Sequence, residues 1–278
     1  MMKIKLKNSI ILTLLMTLVI ACGGDEKGGA DGFGSLDKNT PDGAFLMTLD
    51  ALAKNDLQGV VKNSLSQDNY NELISEFEAN KSKPMSAEQK DQFNQAIIML
   101  NDDNAEENIY KMVEPQLTQV RAFMPMMLMA GKEQIAAQLG SGKTPLASRC
   151  NSNAEVVDAT VTWIMDNDIL AADKVRSSIS ELVATGRKVN IDSAEAVQNM
   201  SFDEALNTGA IAFEGLKGML KAHGIDSDKI LRSAEVSDVK IVGDEANMIT
   251  SYEVFGKTLC APVTMIKRDG IWVIKSES

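Results

Sequence analysis

The chain has 278 residues, of which 28 are Lys or Arg and 39 are Asp or Glu, so its formal net charge is −11. This length is enough for one or two domains with a sizeable core. A content of 44% hydrophobic and 24% charged residues is typical of a folded globular protein. The negative charge argues against a nucleic-acid-binding protein, which needs a basic surface. A single histidine excludes metal sites built from several histidines.

The first 21 residues have the organisation of a secretory signal peptide. Lys3, Lys5 and Lys7 form a basic start, and the apolar run from Ser9 to Ile20 is twelve residues long. A transmembrane helix needs roughly 20 apolar residues, so this run is too short to span a bilayer. We therefore interpret residues 1–21 as a signal peptide.

The end of this segment, Val19-Ile20-Ala21-Cys22, resembles the lipobox of bacterial lipoproteins. The resemblance implies that the Cys22 thiol carries diacylglycerol and that its amine, freed by cleavage, is acylated. The alternative is an ordinary signal peptide in which the cysteine occurs by chance. Gly23 and Gly24 follow the cysteine where inner-membrane lipoproteins have Asp. The resemblance therefore implies an outer-membrane lipoprotein of a Gram-negative cell, facing the periplasm.

Residues 22–40 are predicted to be the lipidated cysteine and a flexible tether. Six of the 18 residues from Gly23 to Thr40 are Gly. Such a segment cannot bury enough apolar surface to offset its ordering entropy. A Gly-rich coil of this length has a root-mean-square reach of roughly 20–25 Å.

Helical periodicity then predicts a helical domain over residues 41–140. Ser86 and Gln89 have the spacing of a capping box, which marks a helix start. Pro115 predicts a break or a new start, and Pro125 predicts a bend. The Gly- and Ser-rich stretch after residue 140 predicts a domain boundary.

The second region, residues 150–278, is predicted to contain helices followed by a sheet. Ser201 and Glu204 have the spacing of a second capping box. Over the last forty residues the apolar positions alternate between Gly-containing turns, which predicts an antiparallel meander of about four strands. Pro262 predicts an edge position or a bulge on the third strand. The predicted fold class is α+β, with a mostly helical body and a C-terminal β-meander.

Two resemblances accompany this region. The hairpin segments Gly243–Ala246 and Lys267–Trp272 resemble those of NTF2-like and cystatin-like lipoprotein domains, which implies a small α+β cone. The long helical part before the sheet departs from such a cone. The body as a whole resembles a family of proteobacterial lipoproteins, and this likeness implies an envelope location without a particular activity.

Two cysteines remain once Cys22 is assigned to lipid. In an oxidising compartment we predict that Cys150 and Cys260 form one disulfide. It closes a loop of 111 residues, which the chain-entropy description equates with about 4–5 kcal/mol of stability. The alternatives are a redox or metal-binding pair, for which the Cys-x-x-Cys spacing is missing, and two buried thiols.

Met124, Met126, Met127 and Met129 form the most unusual string in the chain. Thioethers suit Cu(I), so a copper site is one hypothesis. Methionine is also an adaptable core residue, and we predict that the four line the core or an apolar ligand. His223, the only imidazole, lies at a predicted helix end, where a cation complements the helix dipole. No nucleophile motif accompanies it, so we predict no catalytic residue.

Other polar segments have simpler explanations than a binding site. The acidic segments at residues 101–107 and 166–168 lack the Gly of a calcium loop and lie where helices are expected to start. Gly140–Thr144 resembles the end of a phosphate loop but lacks the upstream Gly and a preceding strand. We therefore predict no metal and no cofactor.

These observations together predict a non-enzymatic, lipid-anchored envelope protein that binds or scaffolds an envelope partner. Its contact with the membrane is predicted to be the acylated Cys22. The alternative is a carrier or sensor of an apolar small molecule, held in a cavity between the helices and the sheet. The third hypothesis is an envelope hydrolase, which requires a nucleophile and a base within reach around His223.

Overall fold

The computed structural model describes residue 33, residues 36–138, residue 150 and residues 153–275. This part of the chain is an α+β protein, mostly helical, with a C-terminal four-stranded antiparallel sheet, which confirms the predicted fold class. The predicted signal peptide and Cys22 lie outside the described residues. The helices are α1 (Pro41–Ala53), α2 (Leu57–Ser64), α3 (Gln67–Lys81), α4 (Ala87–Asn101), α5 (Ala105–Gln138), α6 (Asn153–Asp166), α7 (Ala172–Val189), α8 (Ala194–Asn199), α9 (Phe202–Ala222) and α10 (Ser227–Arg232). The strands are β1 (Glu235–Val242), β2 (Glu245–Val254), β3 (Lys257–Arg268) and β4 (Ile271–Ile274).

Side-chain hydrogen bonds define the start of α4 and of α9. The backbone N–H of Gln89 donates to Ser86 Oγ at 3.2 Å, and the backbone N–H of Ser86 donates to Gln89 Oε1 at 2.9 Å. Ser201 and Glu204 form the same reciprocal pair at α9. Both predicted capping boxes are confirmed. Each one satisfies backbone N–H groups that a helix start leaves without partners.

Helix α5 is 34 residues long and contains both Pro115 and Pro125. The predicted break at Pro115 is therefore wrong, and the helix also continues through Pro125. A proline removes one hydrogen bond of a helix and crowds the preceding turn. Val113 and Leu117 pack against a buried cluster on either side of Pro115, and this packing supports the helix there.

The sheet has the strand order β1-β2-β3-β4, so each strand pairs with its neighbour in sequence. β2 and β3 are paired from Glu245 to Val254, whereas β4 pairs only with Met265–Arg268 of β3. Pro262 therefore lies on the part of β3 that β4 does not cover. β3 lies between β2 and β4, but at Pro262 the side of β3 that faces away from β2 is an edge of the sheet. The N–H that proline lacks is therefore not needed for a hydrogen bond between strands.

The main core lies between the sheet and the first helices. Phe45 and Leu49 of α1 belong to the same buried cluster as Met248 of β2 and Trp272 of β4. Trp272 Nε1 also donates a hydrogen bond to the backbone oxygen of Asn39 at 3.1 Å. The last strand is thus attached to the residues that precede α1.

This core does not follow the predicted division into residues 41–140 and residues 150–278. Helices α3 and α4 have no buried residues, so they offer α1 little apolar cover. The apolar side of α1 is instead covered by the sheet, which lies some 200 positions later in the sequence. Burial, rather than sequence order, decides which elements share a core.

A second buried cluster joins α5 to α7. Ala105 and Ile109 of α5 lie in it together with Val175, Ile179 and Val183 of α7. Within each helix these positions are four residues apart, so each helix presents one apolar side to the other. This packing determines which side of α5 is left facing solvent.

Candidate functional site

Helix α5 carries a row of large apolar side chains on its solvent side. Met112, Val120, Phe123, Met126 and Met127 are each between 42% and 68% exposed. At about 100° per residue they fall within an arc of roughly 120°, and they extend over roughly 23 Å of helix. We call these five residues the apolar stripe.

The stripe revises the role predicted for the methionine string. Met124 is half-buried, but Met126, Met127 and Met129 are exposed, so a core position does not hold for these three. Successive residues of a helix point to different sides, and the described neighbours of α5, which are α4, α6 and α7, leave these three side chains exposed. For the same reason the four thioethers diverge and cannot converge on a single Cu(I) ion.

Charged contacts fasten the opposite side of α5 to its neighbours. Arg176 of α7 donates from Nη1 to Glu107 Oε2 at 2.8 Å, and its guanidinium lies 3.6 Å from the ring centre of Tyr110. The hydrogen bond from Arg176 holds the pKa of Glu107 below its usual value. Arg121 contacts Asp168, which follows α6. These contacts hold α5 in the rotation that leaves the stripe outward.

The stripe itself is uncharged. Within its arc the other residues between Met112 and Met127 are Gln116 and Gln119. Its exposed apolar area is on the order of 500 Å², since a large side chain offers roughly 150–250 Å². The largest exposed apolar patch on a typical monomer covers about 300–600 Å² and is often a functional surface. On a chain with 39 acidic residues, this neutral face is the strongest candidate for a binding site.

The structure also places a hydroxyl next to the only imidazole. His223 follows the last residue of α9, at the helix end that the sequence predicts. Its Nε2 lies 2.8 Å from Oγ of Ser178 on α7, and this Oγ also donates to the backbone oxygen of Met219 at 3.3 Å. Ser178 is not identifiable from the sequence, because no local motif surrounds it and 45 positions separate it from His223.

The surroundings of His223 differ from those of a catalytic triad. Burial lowers the pKa of His223, and the nearby charge of Lys174 lowers it further. A hydrogen bond with the backbone of Ile169 opposes both effects. A triad instead places a carboxylate beside the imidazole, which orients the ring and stabilises its cation. The pair therefore has a hydroxyl and a base at hydrogen-bond distance, but the charge that shifts the pKa of the base is the Lys174 cation rather than a carboxylate.

Lys217 of α9 is a buried ammonium group that the sequence reasoning missed. It is 7% exposed, and its Nζ donates to the backbone oxygens of Leu52 at 2.6 Å and Ala53 at 3.2 Å. Nζ also contacts Asp228 of α10 and lies 4.8 Å from the ring centre of Phe213. Burial lowers the pKa of Lys217, and Asp228 opposes the change. The ammonium joins three helices and complements the negative end of α1. In the sequence, the sign that Lys217 could be buried was its position one helical turn after Phe213.

Cys150 and Cys260 lie side by side, both as thiols. Burial raises the pKa of Cys150 to about 12, and a hydrogen bond with Cys260 adds to the rise. A thiol with such a pKa stays protonated at neutral pH and is a poor nucleophile and metal ligand. This argues against a redox or metal-binding pair. The disulfide between Cys150 and Cys260 stays a prediction. It requires the two side chains to lie close together, as they do here.

Three further findings concern metal sites, membrane-spanning helices and similar proteins. In the described part of the chain, no three His, Cys, Asp or Glu side chains are grouped as a metal site requires. Among the helices of the same residues, none combines the length and the apolar content needed to cross a bilayer. No protein-family model, curated protein or solved structure matches this chain.

Proposed function

We propose that this chain is a non-enzymatic, lipid-anchored protein of the Gram-negative outer membrane that binds a protein partner in the periplasm. The observation that carries the binding role is the exposed apolar stripe on α5. The anchoring role rests on the resemblance of Val19–Cys22 to a lipobox. The stripe and the anchor are separate in the chain, so one holds the protein at the membrane while the other engages the partner.

The physical properties of the anchor and the body favour a protein partner over the bilayer. Each buried CH₂ of an acyl chain contributes about 0.8 kcal/mol, so two or more chains on Cys22 hold the protein firmly. A helix that lies in a membrane interface has a rim of Lys and Arg. Helix α5 carries four Glu against three Lys or Arg over its length, so it is not a predominantly basic helix and does not favour anionic headgroups.

The anchor is tested by the Cys22→Ser variant. We expect this variant to leave the membrane pellet or to stay unprocessed, whereas the Cys150→Ser control remains in the membrane pellet as a processed lipoprotein. Cell fractionation and mass spectrometry of the intact chain measure both results. A wild-type chain that keeps residues 1–21, or a Cys22→Ser chain that is still acylated, refutes the anchor.

The binding role is tested by photo-crosslinking in living cells. A benzophenone amino acid replaces Met126 in the stripe, and a control replaces Thr118, which is exposed on another side of the same helix. We expect a protein adduct at position 126 and none at position 118, with the adduct identified by mass spectrometry. If position 126 forms no protein adduct, the stripe does not bind a protein.

The contact between Ser178 and His223 favours an envelope hydrolase as the second candidate. In that reaction His223 Nε2 takes the hydroxyl proton while Ser178 Oγ attacks an acyl carbonyl. The bond from the acyl carbon to the leaving group then breaks, the leaving group takes the proton from His223, and water releases the acyl group from Ser178 by the same steps. Labelling by a fluorophosphonate probe that disappears in Ser178→Ala supports this candidate, and an unlabelled wild-type chain rejects it.

A carrier of an apolar molecule stays a prediction. It is tested by extracting the lipids that co-purify with the chain and identifying them by mass spectrometry.

A further inference from the structure

We infer that the partner of the apolar stripe is a second copy of this chain, with the two α5 helices packed against each other. The inference rests on the proposed binding function and names its partner. It comes from the spacing of the exposed residues, from the lack of charge beside them, and from the area that they offer.

The spacing identifies the occupant as a helix. Gln116, Val120, Phe123, Met127 and Ala130 follow one another at intervals of four, three, four and three residues. This is the alternation of a and d positions by which two helices pack knobs into holes. All five residues are exposed, so no element within the described part of the chain covers this seam. Any row along one side of a helix has this spacing, and a partner helix is the occupant that fills it knob into hole.

The positions beside the seam do not oppose an identical helix. Met112, Gln119 and Met126 are spaced seven residues apart, and the last two directly precede Val120 and Met127, the a positions of the seam. In coiled coils, charges at such flanking positions select one partner and repel others. The absence of charge at these three positions leaves nothing for an oppositely charged partner to pair with. It also leaves no like charges facing each other when two copies meet.

The exposed area agrees with a dimer of moderate affinity. Each copy contributes on the order of 500 Å², so the pair buries about 1,000 Å², near the lower end for a specific interface. The net negative charge of each copy lies outside the stripe and is screened beyond about 8 Å at physiological ionic strength. Confinement of two lipid-anchored copies to one membrane raises their effective concentration.

Co-purification of two differently tagged, full-length copies from detergent-solubilised membranes tests this inference. We expect the tags to co-purify, and we expect Val120→Glu combined with Met127→Glu to reduce co-purification at least tenfold. The matched control, Thr118→Glu on another side of α5, is expected to leave co-purification unchanged. Since all three positions are exposed, circular dichroism is expected to show wild-type folding and melting for each variant.

The photo-adduct at position 126 supplies a second measurement that does not depend on the folding of a variant. An adduct of two copies supports the inference. An adduct with a different protein refutes the inference that the partner is a second copy, but it agrees with the proposed binding function. The absence of any adduct refutes both the inference and the proposed binding function. Co-purification that persists in the double Glu variant also overturns the inference, because the copies then associate through another surface.

Discussion

In a Lys217→Met variant, α9 loses the ammonium that donates hydrogen bonds to the carbonyl oxygens of Leu52 and Ala53. The Leu52 oxygen keeps the backbone N–H of Asn55 as a donor at 3.1 Å, so the Ala53 carbonyl is the one deprived of its donor. A buried carbonyl in that state costs about 1–3 kcal/mol. Asp228 is 46% exposed and regains water, and removal of a buried charge offsets part of the loss. Met preserves most of the packing of the aliphatic stem. We therefore expect the free energy of unfolding to fall by about 2 kcal/mol.

Urea denaturation followed by circular dichroism measures this loss, and the corresponding fall in Tm is about 4–8 °C for a protein of this size. The matched control is Lys221→Met, one turn later on α9, whose exposed Nζ lies 3.6 Å from Asp226. An exposed pair of this kind contributes less than about 1 kcal/mol. If the two variants lose equal stability, or if Lys217→Met loses less than about 1 kcal/mol, the ammonium does not join α1 to α9 as described.

Under oxidising conditions, Cys150→Ser is expected to lose about 4.8 kcal/mol of unfolding free energy, the value for a loop of 111 residues. If dithiothreitol does not change the urea midpoint of the wild-type chain, the disulfide is contradicted. Burial lowers the pKa of His223 from 6.5, so the unfolded chain binds more protons between the lowered pKa and 6.5. Acidification through that window is therefore expected to destabilise the wild type more than His223→Gln, and equal pH slopes of their unfolding free energies speak against it. Ser201→Ala, which removes the cap of α9, is expected to cost about 1 kcal/mol in the same urea assay; an unchanged midpoint means that the capping box adds nothing.

Features that depend on neighbouring residues were predictable from the sequence. The capping boxes at Ser86 and Ser201 form within three residues of each helix start. The turn at Asp269 and Gly270 has φ of +52° and +82°, the backbone that an Asp-Gly hairpin turn adopts. In each case a short-range hydrogen bond or a backbone preference decides the local conformation. The helix break predicted at Pro115 was wrong, because contacts with residues distant in the sequence support the helix on both sides of this proline.

The candidate site was only partly predictable. The methionine string stood out by composition, but its exposure depends on which helices cover α5, and no local signal reports that. The contact of Ser178 with His223 and the burial of Lys217 likewise join residues far apart in the chain.

The sequence by itself therefore determined the acidic composition, the lipobox-like start, the helix starts and the C-terminal meander, since each follows from residues that are neighbours in the chain. Only the tertiary structure decided that α1 packs on the sheet and that one side of α5 stays uncovered. The physical reason is that an apolar side chain is buried by whichever element the fold brings against it, and that element is often distant in sequence.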